Sequence, residues 1–211
     1  MIEKTMKYLK EAFQSEYCRT HPAAAAYRLE HSIRVANIGR EIAVQEGMDA
    51  EAMTIACLLH DLSYCTQFCQ PEGWIGHGRQ SAKMARPFLA SLGLQKEKME
   101  QICFGIAIHV DDQADFPGER TAFARTVGDS DNIDRFNVYR IFDGLRMEGF
   151  QDKTLEEKEE FVRNRLTSLS QLCQMQMATK TAQKLWQERI QYQRGYYTRL
   201  KKQLEESRQI G

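Results

Sequence analysis

Apolar residues recur at three- and four-residue spacing along almost all of this chain, with no sustained alternation of apolar and polar residues. That pattern favours helices and leaves little room for a sheet. Only four prolines occur in 211 residues, so the helices can be long. A chain of this length can bury a sizeable core as one domain. The spacing predicts helices over Glu3–Glu16 and Ala24–Glu46, the second stopped by Gly47. A third starts at Asp49, a suitable N-cap with Glu51 in the first turn, and runs to about Asp61. Further helices are expected over His77–Leu92, bent at Pro87, over Lys96–Val110, and over Thr121–Met147 as one long element. Cys65–Gly76 and Asp111–Arg120 hold the Pro and Gly residues of loops. Beyond Gly149, residues 152–209 are rich in Glu, Lys, Arg and Gln, with Trp186, Ile190 and Tyr197 close to one stripe. The expected organisation is a helical core over 1–150 and a pair of C-terminal helices over 151–211, packed on that core as part of one domain or against another subunit.

Charge and composition narrow the function classes. Twenty-nine basic side chains balance twenty-nine acidic ones, which argues against sequence-independent nucleic-acid binding. The N-terminus, MIEKTMKYLKEAF, is charged and amphipathic and lacks the apolar run of a signal peptide. No stretch approaches the ~18 apolar residues of a membrane span. A soluble, cytoplasmic protein without a membrane partner is expected. The six cysteines form no Cys-x-x-Cys pair and read as reduced thiols. Cys65 and Cys69 are weak candidates for thiol ligands, since zinc sites carry tighter pairs.

The ionisable residues inside the helical stripes carry the chemistry. In ACLLHDLSY, Ala56 to Tyr64, four apolar residues run straight into His60 and Asp61. A carboxylate taken out of water costs several kcal/mol unless a partner neutralises it. His31 shares a stripe with Tyr27, Val35, Ile38 and Ile42, and His109 shares a face with Ile102 and Ile106. His77 sits at an expected helix start, and only His21, before Pro22, reads as a surface residue. In TVGDSDNIDRF, Asp131 falls on the stripe of Val127 and Val138, with Asp134 on the same side. Asp129 points elsewhere, although Ile133 and Phe136 make its side partly apolar too. A lone histidine on an apolar face is usually a hydrogen-bonded core residue. Four of five histidines so placed, with inward aspartates, are accounted for together by a bound divalent cation. Its expected ligands are His31, His60, Asp61 and Asp131, projected from helices distant in sequence.

The order His, His-Asp, Asp resembles the signature of the HD-domain superfamily of metal-dependent phosphohydrolases. RLEHSIRVANIGREIA resembles the family's first ligand helix, and ACLLHDLSY its His-Asp helix. HGRQSAKMARPFL and ICFGIAIHVDD are similar to the two helices that follow, and TAFARTVGDSDNIDRF to the closing Asp-Ala-Asp-x-hydrophobic-Asp segment. The tail is similar to the C-terminal helices of small stand-alone bacterial HD hydrolases. Two departures stand out: Ser130 replaces the alanine between Asp129 and Asp131, and RFNVYRIF follows Asp134 in place of a small, glycine-containing stretch.

The resemblance implies an all-α bundle with one or two metals, and it carries the family's ligands to His31, His60, Asp61 and Asp131. It implies hydrolysis of a phosphoester or phosphoanhydride, a nucleotide being the expected small-molecule partner. Mn, Fe, Ni, Co and Zn are the expected metals, with Mg as a further candidate. Asp61 is expected to bind the metal or orient water, His77 and His109 to protonate the leaving oxygen or grip phosphate. Arg79 and Lys83, four apart and one turn beyond His77, are weaker candidates for offsetting phosphate charge. Two other classes compete. His77 and His109 can complete a two-metal site, as in the diiron oxygenases of the same superfamily. The chain can also be a metal-stabilised nucleotide-binding regulatory module without turnover. A homodimer is a further expectation.

Overall fold

The computed structural model describes residues 1–67 and 73–208. All regular structure among them is helical. The order is α1 (Ile2–Ala12), α2 (Glu16–Thr20), α3 (Pro22–Gln45), α4 (Ala50–Leu59), a 3-10 turn (Leu62–Cys65), α5 (His77–Ser91), α6 (Lys96–Ile108), α7 (Ala122–Arg135), α8 (Val138–Met147), a second 3-10 turn (Phe150–Asp152), α9 (Leu155–Leu172) and α10 (Lys180–Glu206). Local chemistry sets many of these limits. Asp49 caps α4 by accepting from Ala52 N at 2.9 Å. Gly47, at φ +68°, takes the left-handed conformation after α3 that a side chain would strain. Thr154 and Glu157 form a reciprocal capping box at the start of α9. Pro87 lies within α5, which runs on to Ser91.

Two expected helices are divided. The first stops at Ala12, and Ser15 caps a separate α2 by accepting from Cys18 N. The single helix expected over Thr121–Met147 is broken after Arg135, and Asn137 caps α8. Of the loop expected at Cys65–Gly76, residues 68–72 lie outside the described residues, and Cys69 with them.

The chain forms two compact units. One comprises Met1–Asp134 and Ala178–Ala182; the other comprises Arg135–Met177 and the chain from Gln183 onward. In the first unit α3 packs along α4, α4 along α1 and α6, and α5 along α6. Leu9, Val35, Met53, Ile55, Leu58, Leu59, Leu89, Ile102 and Ile106 form its core, each no more than 1% exposed. Burying each such side chain stabilises the fold by about 1.5–3 kcal/mol. From Ala52 to Leu59 every residue of α4 is buried. The helix therefore delivers its C-terminal end, and His60–Asp61 with it, into the interior. Asp129 accepts from Ala178 N and Glu46 from Thr181 N, both at 2.7 Å, joining the 178–182 segment to this unit.

In the second unit the stripe of Trp186, Ile190 and Tyr197 is buried to 1% exposure or less. Trp186 Nε1 donates to Leu172 O at 3.0 Å. Among the described residues no helix is long and apolar enough to cross a membrane.

Candidate metal centre

Three histidines are fixed by the same local device. The last four carbonyls of a helix have no partner inside it. His60, just past the end of α4, places Nδ1 2.7 Å from Cys57 O, and His109, just past the end of α6, places Nδ1 2.7 Å from Ile106 O. His77, the first residue of α5, sets Nδ1 against Trp74 O, also three residues back. His31 lies within α3, where carbonyls are already engaged, and its Nδ1 meets Asp134 Oδ2 at 2.7 Å instead. Every one of these partners is an acceptor, so each Nδ1 carries the hydrogen. The Nε2 atoms of the four rings are left to converge.

They do so at short range. His31 Nε2 and His60 Nε2 are 3.3 Å apart, and His77 Nε2 and His109 Nε2 are 3.0 Å apart. Asp131 Oδ1 stands 3.0 Å from His31 Nε2 and 3.9 Å from His60 Nε2. Asp61 lies between the two pairs. Its Oδ2 is 3.7 Å from His31 Nε2 and 3.6 Å from His60 Nε2. Its Oδ1 is 3.1 Å from His77 Nε2 and 3.9 Å from His109 Nε2. Ligand atoms of His31, His60 and Asp131 all fall within 4.8 Å of one another, as do those of His60, Asp61 and His109.

The donor set fits a divalent transition metal. Ligands about 2.1 Å from one cation sit roughly 3–3.5 Å from each other, and the separations above bracket that range. Neutral imidazole and carboxylate suit such ions, and a second-sphere acceptor on each Nδ1 is the usual accompaniment. The set has two halves that share Asp61, so it can hold one ion or two.

Close helix approach makes the convergence possible. A Cβ on Gly78, next to His77, would fall 2.7 Å from Ala107 O and 2.9 Å from His109 Nδ1. One on Gly128 would fall 2.8 Å from His109 O. Glycine at both positions lets α5 and α7 approach the end of α6.

The electrostatics show what stands in for a cation. Burial works against a charged His31, but the hydrogen bonds it donates to Asp131 and Asp134 outweigh burial and hold its pKa up to about 9. Burial, with His60 close by, pushes His109 down to about 4. Burial likewise lowers His60. Burial opposes ionisation of Asp61, yet His60, His77 and Arg28 hold its carboxyl well below the usual range. Asp131 is lowered in the same way, mainly by His31, against burial. A protonated His31 thus supplies positive charge among Asp61, Asp131 and Asp134.

The remaining candidates are distributed differently. Arg79 donates from Nη1 to both carboxylate oxygens of Asp111, at 2.9 and 2.8 Å. Lys83 is exposed. Cys65 is buried, its thiol pushed up to about 11 by burial and by Cys18 nearby, and it belongs to neither donor group. Asp129 is occupied by the Ala178 amide, and burial raises its pKa to about 6.

Two residues with roles at the site, Arg28 and Arg34, were missed, and the inward Asp134 was assigned no role. Arg28 donates to Asp61 Oδ2 at 2.6 Å while stacking 3.6 Å over the Tyr64 ring. Arg34 holds Asp134 with two bonds of 2.9 and 3.1 Å. Asp134 orients His31. The available signal was the i, i+3 spacing of Arg28, His31 and Arg34, which places them on one face of α3.

A family model described as the HD domain matches residues 28–135, just over half of the chain. The match begins at Arg28 and includes every residue of the histidine–aspartate cluster. None of the curated proteins matches. A solved structure, that of a predicted HD superfamily hydrolase from an uncultured Thermotogales bacterium, is similar at 20% identity. The likeness covers 94% of this chain and 90% of that one, with a TM-score of 0.61.

Proposed function

The chain belongs to the HD-domain family, and from that premise we propose that it is a metal-dependent phosphohydrolase acting on a phosphoester or phosphoanhydride, a nucleotide first among them. The observation that carries the reading is the convergence of four histidine Nε2 atoms on two buried carboxylates. Held by His31, His60, Asp61 and Asp131, a divalent cation supplies Lewis acidity toward a phosphoryl oxygen and a lowered pKa for water.

The chain's own groups do the rest. Arg28 fixes the Asp61 carboxylate with one N–H, and its side chain is 28% exposed, leaving guanidinium N–H groups for a phosphoryl oxygen. His109, neutral at pH 7, is an acceptor. A proton on His77 Nε2 therefore has two acceptors in reach, His109 Nε2 at 3.0 Å and Asp61 Oδ1 at 3.1 Å. From that position His77, with a side chain 11% exposed, can hand the proton to the leaving oxygen.

The His60–Asp61–His109 group supports a second reading, a two-metal centre of the oxygenase kind. Metal analysis of the purified protein, followed by a nucleotide panel with Mn, Co, Ni and Mg, tests both. The expected result is about one equivalent of metal and release of phosphate or pyrophosphate that chelator abolishes and Mn or Co restores. Two equivalents of iron and no turnover of any phosphoester would favour the oxygenase. His60→Ala should strip the metal; full occupancy in that variant would overturn the assigned ligand set.

A further inference from the structure

We propose that the chain forms a two-fold symmetric dimer in which α10 packs antiparallel against α10 of a second copy, with Gly195 level with the dyad. One face of this helix is engaged within the chain: Trp186, Ile190, Gln193 and Tyr197 are buried to 1% exposure or less. On the opposite side Lys184, Glu188, Gly195, Lys202 and Glu206 are all exposed. Counted from Gly195, the four charged residues stand at −11, −7, +7 and +11. Seven and eleven residues are close to whole turns, so all five lie within about 20° of one line along the helix.

That spacing makes the line self-complementary. A two-fold axis at the level of Gly195 sets each residue at +n against the residue at −n of the second copy. Lys202 then meets Glu188 of the partner subunit, and Glu206 meets Lys184 of the partner subunit. Each pair occurs twice. Arg199, at +4, meets Gln191 of the partner subunit, whose amide oxygen accepts from a guanidinium. The register is also protected against slippage. An axis shifted two residues either way sets Lys184 against Lys202, or Glu188 against Glu206, and like charges across a contact are unfavourable. Within the chain Lys202 lies 3.7 Å from Glu206, and Arg189 lies 3.9 Å from Glu188. Exposed pairs of this kind are weak, and a second copy adds a partner to each.

Gly195 itself is the second observation. It stands in the interior of a 27-residue helix, where glycine is less stable than alanine. Its own chain makes no use of the missing side chain: a Cβ there would meet no atom within 4 Å. Close approach of a second helix does use it, since axes about 8 Å apart need a small residue at the contact. Around Gly195 lies a groove of about 410 Å3, lined by Tyr192, Tyr196, Arg199 and Leu200 among others. Tyr192 is 54% exposed and Tyr196 37%. Covering these rings supplies the apolar part of the contact, and tyrosine is enriched in such surfaces. The centre defined by the charges therefore coincides with a residue that leaves room for a backbone. None of the clustered histidines takes part, so the inference stands apart from the hydrolase reading.

The test is sedimentation velocity of the full chain, as purified, over a range of concentrations. A species of twice the 24.5 kDa chain mass is expected, and it should weaken with added salt. Glu188→Lys and Lys202→Glu should each raise the dissociation constant at least about tenfold. An equimolar mixture of those two variants should restore the parent's affinity, because the mixed pair again sets opposite charges together on both sides of the dyad. Gly195→Leu should weaken the dimer at least as much while helix content by circular dichroism is kept, leucine being the better helix former. A monomer at about 0.1 mM chain overturns the proposal, and so does a dimer indifferent to all three changes. A mixture no tighter than its components overturns the antiparallel register. A Gly195→Leu dimer as tight as the parent's overturns the close approach at the dyad. If Gly195→Leu fails to fold, the mixing experiment decides.

Discussion

Replacing Asp134 by asparagine should weaken metal binding without touching a ligand. Asp134 is 2% exposed and accepts from His31 Nδ1 at 2.7 Å and from Arg34 Nε and Nη2 at 2.9 and 3.1 Å. Asparagine keeps the shape but offers one oxygen in place of two. If that oxygen faces His31, the new NH2 faces the donors of Arg34; if it faces Arg34, the NH2 confronts the His31 N–H. One arm is lost in either orientation, at about 1.5–3 kcal/mol for a hydrogen bond to a charged group. For the metal, the loss removes the carboxylate that raises the basicity of His31. Changes of this outer-sphere kind cost about 10–100-fold in affinity, or about 1.4–2.7 kcal/mol. Competition against a chromophoric chelator at fixed pH measures it directly. An affinity equal to the parent's would refute the idea that Asp134 tunes His31. A loss as complete as that of His31→Ala would refute it differently, by making Asp134 itself a ligand.

Cation binding at pH 7 should release about one proton, because His31 is held up to about 9 without the ion and must be neutral to bind. Affinity should then rise about tenfold per unit from pH 7 to 9 and level off above; calorimetry in buffers of different ionisation enthalpy would show zero protons if the idea is wrong. The same raised value makes the chelated protein gain stability from His31 below its ordinary 6.5 and lose it as pH rises through 9, so its melting temperature should fall between pH 7 and 9.5. Asp131→Asn should abolish tight metal binding, whereas Asp129→Asn, at the carboxylate bonded to the Ala178 amide, should retain the metal; the reverse pattern in metal analysis would put α7 in another register. Gly78→Ala should cost about 1–3 kcal/mol and lower turnover by prising His77 from His109, since its Cβ meets Ala107 O at 2.7 Å; an active enzyme with an unchanged melting temperature would contradict this.

Helix type and several boundaries were legible because they rest on local chemistry. Asp49, Gly47 and the loop after α6 act through their nearest neighbours, and a short window of sequence contains them. The break between α7 and α8 was not legible, because apolar residues keep helical spacing across it. Its consequence is visible at Val138, placed on the inward stripe of Asp131 by periodicity yet 51% exposed. At the centre, burial of His31, His60, Asp61, His109 and Asp131 could be anticipated from an apolar run that leads into an ionisable pair. The parts played by Arg28 and Arg34 could not. A partly exposed arginine on a helix has the same sequence pattern whether it meets water or a carboxylate more than thirty residues away.

In the proposed metal centre, the pinning of imidazoles to main-chain carbonyls would govern how one ion is told from another. A ligand on a loose side chain follows an ion of any radius. His60 and His109, fastened to the ends of α4 and α6, can shift only if those helices shift. Should the His60–Asp61–His109 group hold an ion, the gap between them is a fixed gauge. Ions with bonds of about 2.0–2.2 Å suit such a gauge. Calcium, with six to eight oxygens at about 2.3–2.6 Å, requires a wider opening and harder donors than imidazoles provide. Discrimination of this sort is mechanical, and its sharpness depends on how stiffly the bundle holds its helix ends. A substitution far from the cluster that loosens α4 or α6 would first widen the range of ions admitted, and only later release the native one.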